Sequence, residues 1–184
     1  MGSAVVIRGC PGAQSPGQLF PVPRPIAFLD RDGVLNVDRG YVATRERFEW
    51  TPTAFDSVQL LASMGFVVAV VTNQSGVGRG LYEEDDFLQL TEWMLGEMPE
   101  ISVVAYCPHE PDANCPGRKP GTGQLEAVSS LFPCLKDRSF LVGDKQSDIL
   151  AARRFGVLAL RADESGPLGA IKAAIDRLSQ SENA

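Results

Sequence analysis

Five short apolar runs punctuate this chain: "IAFL" ending at Asp30, "FVVAVV" at Thr72, "ISVVAY" at Cys107, "SFLVG" at Asp144 and "VLAL" at Arg161. None of them alternates polar with apolar residues. A strand wetted on one face shows that alternation, whereas continuous valine-, isoleucine- and leucine-rich runs belong to strands covered on both faces. Between the runs lie stretches with apolar residues at helical spacing: "TPTAFDSVQLLASMG", "EEDDFLQLTEWMLGEM", "GQLEAVSSLF", "SDILAARRFG" and "PLGAIKAAIDRLSQ". Strand and helix in alternation predict an α/β fold, a Rossmann-like parallel sheet of about five strands with helices on both faces. The boundary residues agree. Pro52 suits a first helical turn, Gly65 and Gly156 suit helix C-termini, and Ser147 suits an N-cap.

Such a fold fixes where chemistry would lie, because ligands of open α/β sheets bind outside the carboxyl ends of the strands. The chain has 184 residues, enough for one domain with a proper core, expected over residues 26–184. Residues 1–25 carry five of the 13 prolines and read as a flexible leader. The formal net charge is -6, which argues against nucleic acid or an anionic membrane as the main partner. No apolar run approaches the roughly 20 residues that span a bilayer, and the first residues fail as a secretory signal. A cytoplasmic protein is therefore expected. Its four cysteines, Cys10, Cys107, Cys115 and Cys134, then read as free thiols or metal ligands in preference to disulfides.

Four stretches at the strand ends carry polar chemistry. In "FLDRDGVLN", Asp30 and Asp32 lie two apart and can face the same side of an extended backbone. Gly33 then permits a sharp turn. Close carboxylates repel unless a cation intervenes, which points to Mg²⁺, a hard ion with oxygen ligands. A solvated turn with two incidental acids would read the same. In "VVTNQSGVGRG", Thr72, Asn73, Gln74, Ser75 and the glycines offer hydroxyl, amide and backbone N–H groups to phosphoryl oxygens, or simply make a turn. "GRKPGTGQ" supplies Arg118 and Lys119, suited to a second oxyanion and to a transferring phosphoryl group, or to solvated surface charge. "VGDKQSD" supplies Asp144 as a direct Mg²⁺ ligand and Asp148 as an organiser of the loop, or as a helix-start acid.

Together, in this order, "DRDG", "TNQSG", "RKP" and "GDKQSD" resemble the four signatures of the haloacid dehalogenase superfamily of phosphohydrolases. The resemblance covers roughly residues 26–161. Within the superfamily the chain is similar to the heptose 1,7-bisphosphate 7-phosphatases, with the histidinol-phosphate phosphatases as sister group. It implies a capless fold and a Mg²⁺-dependent sugar-phosphate phosphatase working through an aspartyl phosphate, a monomer whose partner is a small sugar phosphate. Asp30 would be the nucleophile and Asp32 the acid and base. Mg²⁺ would be held by the Asp30 and Asp144 carboxylates and the Asp32 backbone carbonyl. Thr72, Asn73 and Lys119 would bind the phosphoryl group, with Gln74 and Ser75 beside them. Arg118, Lys145 and the Asp38–Arg39–Gly40–Tyr41 loop would meet the rest of the substrate.

The same resemblance implies a Zn²⁺ loop in "CPHEPDANCPGRKP", with Cys107, His109 and Cys115 as ligands. The family pattern places a further cysteine where this chain has Gly117, which leaves three outcomes open: zinc with water or another side chain as fourth ligand, zinc bound weakly, or a loop held without metal by Pro108, Pro111 and Pro116; nothing in the sequence brings Cys10 or Cys134 to the loop. Two readings of other classes compete. A signalling receiver domain also uses an aspartyl phosphate, but its acidic pair precedes a separate phosphoacceptor, an order this chain does not follow. A zinc-loop interaction module with a degenerate site conflicts with the intact Asp30, Asp32, Thr72, Lys119 and Asp144.

Overall fold

The computed structural model describes residues 5–10 and 22–181. Its sheet holds β1 (Val5–Arg8), β2 (Ile26–Leu29), β3 (Val67–Asn73), β4 (Ile101–Cys107), β5 (Phe140–Gly143) and β6 (Leu158–Arg161). All pairings are parallel, in the order β1-β4-β3-β2-β5-β6. The helices are α1 (Ala54–Ser63), α2 (Ser75–Gly78), α3 (Glu84–Glu97), α4 (Gly123–Leu131), α5 (Gln146–Phe155) and α6 (Leu168–Ser181).

The strand interiors show why the runs are continuously apolar. In β2, Ala27 and Leu29 enter one core while Ile26 and Phe28 enter the other. In β3, Val68 and Val70 enter the first, and Val67, Ala69 and Val71 the second. Helices α1, α3 and α6 close the first core through Val58, Leu90, Met94 and Ile171. Helices α4 and α5 close the second through Leu125, Val128, Ala152 and Phe155. Each face of each central strand is thus paid its own hydrophobic layer, and no residue is left to alternate.

Two expectations give way. The sheet has a sixth strand, β1, inside the segment read as a flexible leader. Val5–Arg8 pair with Val103–Tyr106 along the open edge of β4, whose N–H and C=O groups would otherwise lack strand partners. The rest of that leader, residues 1–4 and 11–21, lies outside the described residues. Ser147 is not an N-cap either. Helix α5 starts at Gln146 with Lys145 in the cap position, because the Asp148 carboxylate accepts the Lys145 backbone N–H at 3.0 Å. Gly65 (φ 82°) and Gly156 (φ 90°) do end α1 and α5 in the left-handed region.

Strand β2 lies between β3 and β5. The chain winds outward from β2 through β3 and β4, then returns to β5 on the other side. The carboxyl end of β2 therefore sits at the switch in winding direction, where a crevice opens. Among the described residues no helix is long and apolar enough to cross a membrane.

Candidate active site

Asp30 follows the last residue of β2, Asp144 follows the last residue of β5, and Thr72 and Asn73 end β3. The loop between β4 and α4 carries Lys119 into this group. Lys119 Nζ lies 3.0 Å from Asp30 Oδ1 and 2.6 Å from Asp148 Oδ1, and it donates to the Val71 carbonyl at 2.7 Å. Residual exposure is 2% for Lys119 and 5% for Asp30, so these charges interact with little screening by water. Burial pushes the Asp30 carboxyl up to about 7, with Lys119 opposing and Asp148 and Asp32 adding to the rise. Burial works against the Lys119 ammonium, but Asp30 and Asp148 more than offset it and hold its pKa above the ordinary lysine value.

Carboxylate oxygens of Asp30, Asp144 and Asp148 lie within 4.8 Å of one another. Asp144 Oδ1 is buried with no hydrogen-bond partner. A buried acceptor left unpaired beside other carboxylates fits a hard divalent cation such as Mg²⁺, which takes oxygen ligands. Gly33 is required at this point. Its φ is +85°, and a β-carbon there would lie 2.4 Å from Asp144 Oδ2.

The two acids of the first motif diverge: the Asp30 carboxylate joins this cluster and the Asp32 carboxylate does not. The Asp32 carboxylate is turned into a cage of donors: Arg31 at 3.0 Å, Asn36 at 3.0 Å and Gln74 at 3.0 Å. Asp148 is the third acid of the cluster in its place. Arg31 itself is 1% exposed and also donates to the Val42 carbonyl at 2.7 Å.

A cavity of about 320 Å³ opens above these groups. It is lined by Asp30, Asp32, Thr72, Asn73, Gln74 and Ser75 from the strand ends, and by Asp38, Gly40, Tyr41, Arg118, Lys119 and Lys145 from the loops. Tyr82 and Ser147 complete the lining. Lys145 Nζ meets Asp38 Oδ2 at 2.8 Å across the mouth, and Asp38 Oδ1 accepts the Gly40 N–H at 3.0 Å. Tyr41 is held at φ 50°, an uncommon conformation for a bulky residue. Arg39 does not join them. Its guanidinium pairs with Glu49 on the outer side of the loop.

Gln124 and Tyr82, which the sequence did not single out, brace residues that it did. Both ends of the Asn73 amide are engaged by the Lys119 backbone, each at 3.0 Å, and Gln124 donates to Asn73 Oδ1 at 3.0 Å. Asn73 thus fixes where the lysine stands. Tyr82 donates to Gln74 Oε1 at 2.7 Å. For Arg31, the one available signal is its place between the two acids.

The cysteine loop adjoins this cavity. Arg118 donates from its guanidinium to the His109 carbonyl at 3.0 Å and from its backbone to the Cys115 carbonyl at 2.9 Å. Cys107, His109 and Cys115 come together as expected, and Cys10, which the sequence left unplaced, joins them. Cys134 lies elsewhere, bonded to Ser139 at 3.3 Å.

No family model matches the chain. It is 41% identical over 149 residues to the D-glycero-beta-D-manno-heptose-1,7-bisphosphate 7-phosphatase of Rhodopseudomonas palustris, covering 75% of this chain and 83% of that one. It is 40% identical over 136 residues to the enzyme of the same name from Pasteurella multocida, covering 68% and 74%. Among solved structures, a Mesorhizobium loti protein described as a HAD-like phosphatase superposes with a TM-score of 0.74 at 30% identity, covering 89% of this chain and 91% of that one. The D,D-heptose 1,7-bisphosphate phosphatase of B. bronchiseptica, complexed with magnesium and phosphate, gives 0.68 at 22% identity, covering 85% and 99%.

Proposed function

Because the chain belongs to the heptose-1,7-bisphosphate 7-phosphatase family of haloacid dehalogenase-type phosphatases, we propose that it hydrolyses the 7-phosphate of D-glycero-D-manno-heptose 1,7-bisphosphate. The observation that carries this reading is the buried Lys119 ammonium between Asp30 and Asp148, at 3.0 and 2.6 Å, beside an acid cluster with an unpaired oxygen. That arrangement stabilises a phosphoryl group in flight and leaves one carboxylate free to attack it.

Asp30 attacks phosphorus, the phosphorus–oxygen bond to the sugar breaks, and Asp32 gives its proton to the departing oxygen. The resulting aspartyl phosphate is attacked by a water whose proton returns to Asp32, releasing inorganic phosphate and restoring Asp30. The donors around Asp32 fix its aim through both halves of the cycle. Asp30 and Asp144, with the Asp32 carbonyl, would hold Mg²⁺, which neutralises phosphoryl charge when bound. Thr72 and Lys119 hold the phosphoryl oxygens, and Asn73 keeps the lysine in register. Asp38, Tyr41, Arg118 and Lys145 meet the sugar and its second phosphate, and a cavity of about 320 Å³ suits a ligand of that size.

Phosphate release with Mg²⁺ tests the reading, run over heptose bisphosphate, histidinol phosphate and simple sugar phosphates. The heptose bisphosphate is expected to give the highest kcat/KM, and Asp30→Asn to lower release at least about 1,000-fold with the fold retained. Preference for histidinol phosphate would overturn the substrate, and sustained release by the variant would overturn the covalent route.

A further inference from the structure

We propose that Cys10 is the fourth ligand of a zinc site with Cys107, His109 and Cys115, so that the metal staples the edge strand β1 to the loop carrying Arg118 and Lys119. One ligand atom from each of these four residues lies within 4.8 Å of every other. His109 Nδ1 stands 3.5 Å from Cys10 Sγ and 3.6 Å from Cys107 Sγ. Zinc–sulfur and zinc–nitrogen bonds of about 2.3 and 2.0 Å at the tetrahedral angle separate sulfur from nitrogen by about 3.5 Å. Both sulfur–nitrogen separations match that spacing, and the Cys115 sulfur stands within 4.8 Å of the other ligand atoms. Three thiolates and one imidazole are a zinc donor set, too soft for Mg²⁺.

Strand register explains how Cys10 arrives there. Arg8 pairs with Tyr106, and the Gly9 N–H donates to the Tyr106 carbonyl at 2.9 Å. β1 thus runs level with β4 to its end, and Cys10 emerges beside Cys107. Gly117 explains why the ligand comes from this side. A β-carbon at 117 would lie 2.0 Å from the Gly9 carbonyl oxygen and 3.0 Å from Cys10 Cα. The space a cysteine at 117 would need is filled by the backbone that delivers Cys10. Loss of one sulfur and gain of the other are two sides of a single packing event. All four cysteines are free of disulfides, so Cys10 and its partners are available as ligands.

The test reads metal directly and needs no phosphatase assay, so its failure is separable from failure of the proposed activity. Full-length protein is titrated with Zn²⁺ against a chromogenic chelator. Wild type is expected to hold one equivalent, Cys10→Ser to bind more than about 100-fold more weakly, and the control Cys134→Ser to match wild type. In wild-type protein, zinc is expected to slow alkylation of Cys10 at least 10-fold by peptide mass spectrometry, and its removal to speed amide exchange across Val5–Arg8. The alkylation measurement stands even if Cys10→Ser fails to fold. A wild type without zinc, a Cys10→Ser variant with undiminished affinity, or Cys10 alkylated equally fast with and without metal would each overturn the proposal.

Discussion

At Gly33 the backbone lies in the left-handed region, at φ +85°, and the Asp144 carboxylate occupies the place of a side chain. Gly33→Ala therefore meets two obstacles, backbone strain of about 1–3 kcal/mol and displacement of Asp144. The expected result is a lower urea midpoint together with at least a 10-fold loss of phosphate release; a variant with unchanged release would show that Asp144 is not held by this contact. The glycine was legible in the sequence as a turn-former, and Asp30, Thr72 and Asp144 were legible because each stands where an apolar run stops. The cage around Asp32 was not. Arg31, Asn36 and Gln74 converge on it through side-chain directions that spacing along the chain does not encode. Arg39 shows the converse, a residue of the right type in the right loop whose side chain is drawn off by Glu49.

Helix α5 owes its start to the same residue that balances Lys119. Asp148 is fully buried, accepts the Lys145 N–H through one oxygen and meets Lys119 Nζ through the other. Asp148→Ala removes both, and breaking a buried pair costs about 3–5 kcal/mol. Asp148→Asn is expected to cost less, because an amide oxygen can still accept the Lys145 N–H; urea unfolding of the two variants checks the order, and equal midpoints would refute the capping role. The elements themselves were mostly readable, since β2 to β6 and the long helices announce themselves by period and by glycine stops. β1 escaped because three apolar residues and an arginine, "VVIR", next to a proline-rich stretch carry too little pattern to outweigh composition. Its strand state comes from the open edge of β4, a partner about a hundred residues away.

For the molecule as a whole, the buried acid cluster links stability to pH and metal. The folded state holds the Asp30 proton up to about 7, while an unfolded aspartate releases it near pH 4. Between those values the folded state binds the extra proton, so this group's contribution to stability falls as pH rises through the interval. Wild-type protein without Mg²⁺ is expected to melt lower at pH 8 than Asp30→Asn does, with the gap shrinking at pH 5. Magnesium at 100 times its Kd would add about 2.7 kcal/mol to the wild type, and chiefly at the higher pH. Melting curves in EDTA and in Mg²⁺ decide it, and a gap that does not vary with pH would assign the burial cost elsewhere.

The segment from Val37 to Glu49 begins and ends at nearly one point, with Val42 and Phe48 packed into the core between. The Val37 N–H donates to the Glu49 carbonyl at 2.8 Å, and Asn36 bridges to Trp50 just outside. Asp38, Gly40 and Tyr41 ride on this pinched lobe, whereas the acids and the lysine ride on the sheet and its clamped return loop. On the proposed reading, the groups that would meet the sugar share one pinched segment anchored in the core by Val42 and Phe48, while the groups that would react sit on the strand ends and the return loop.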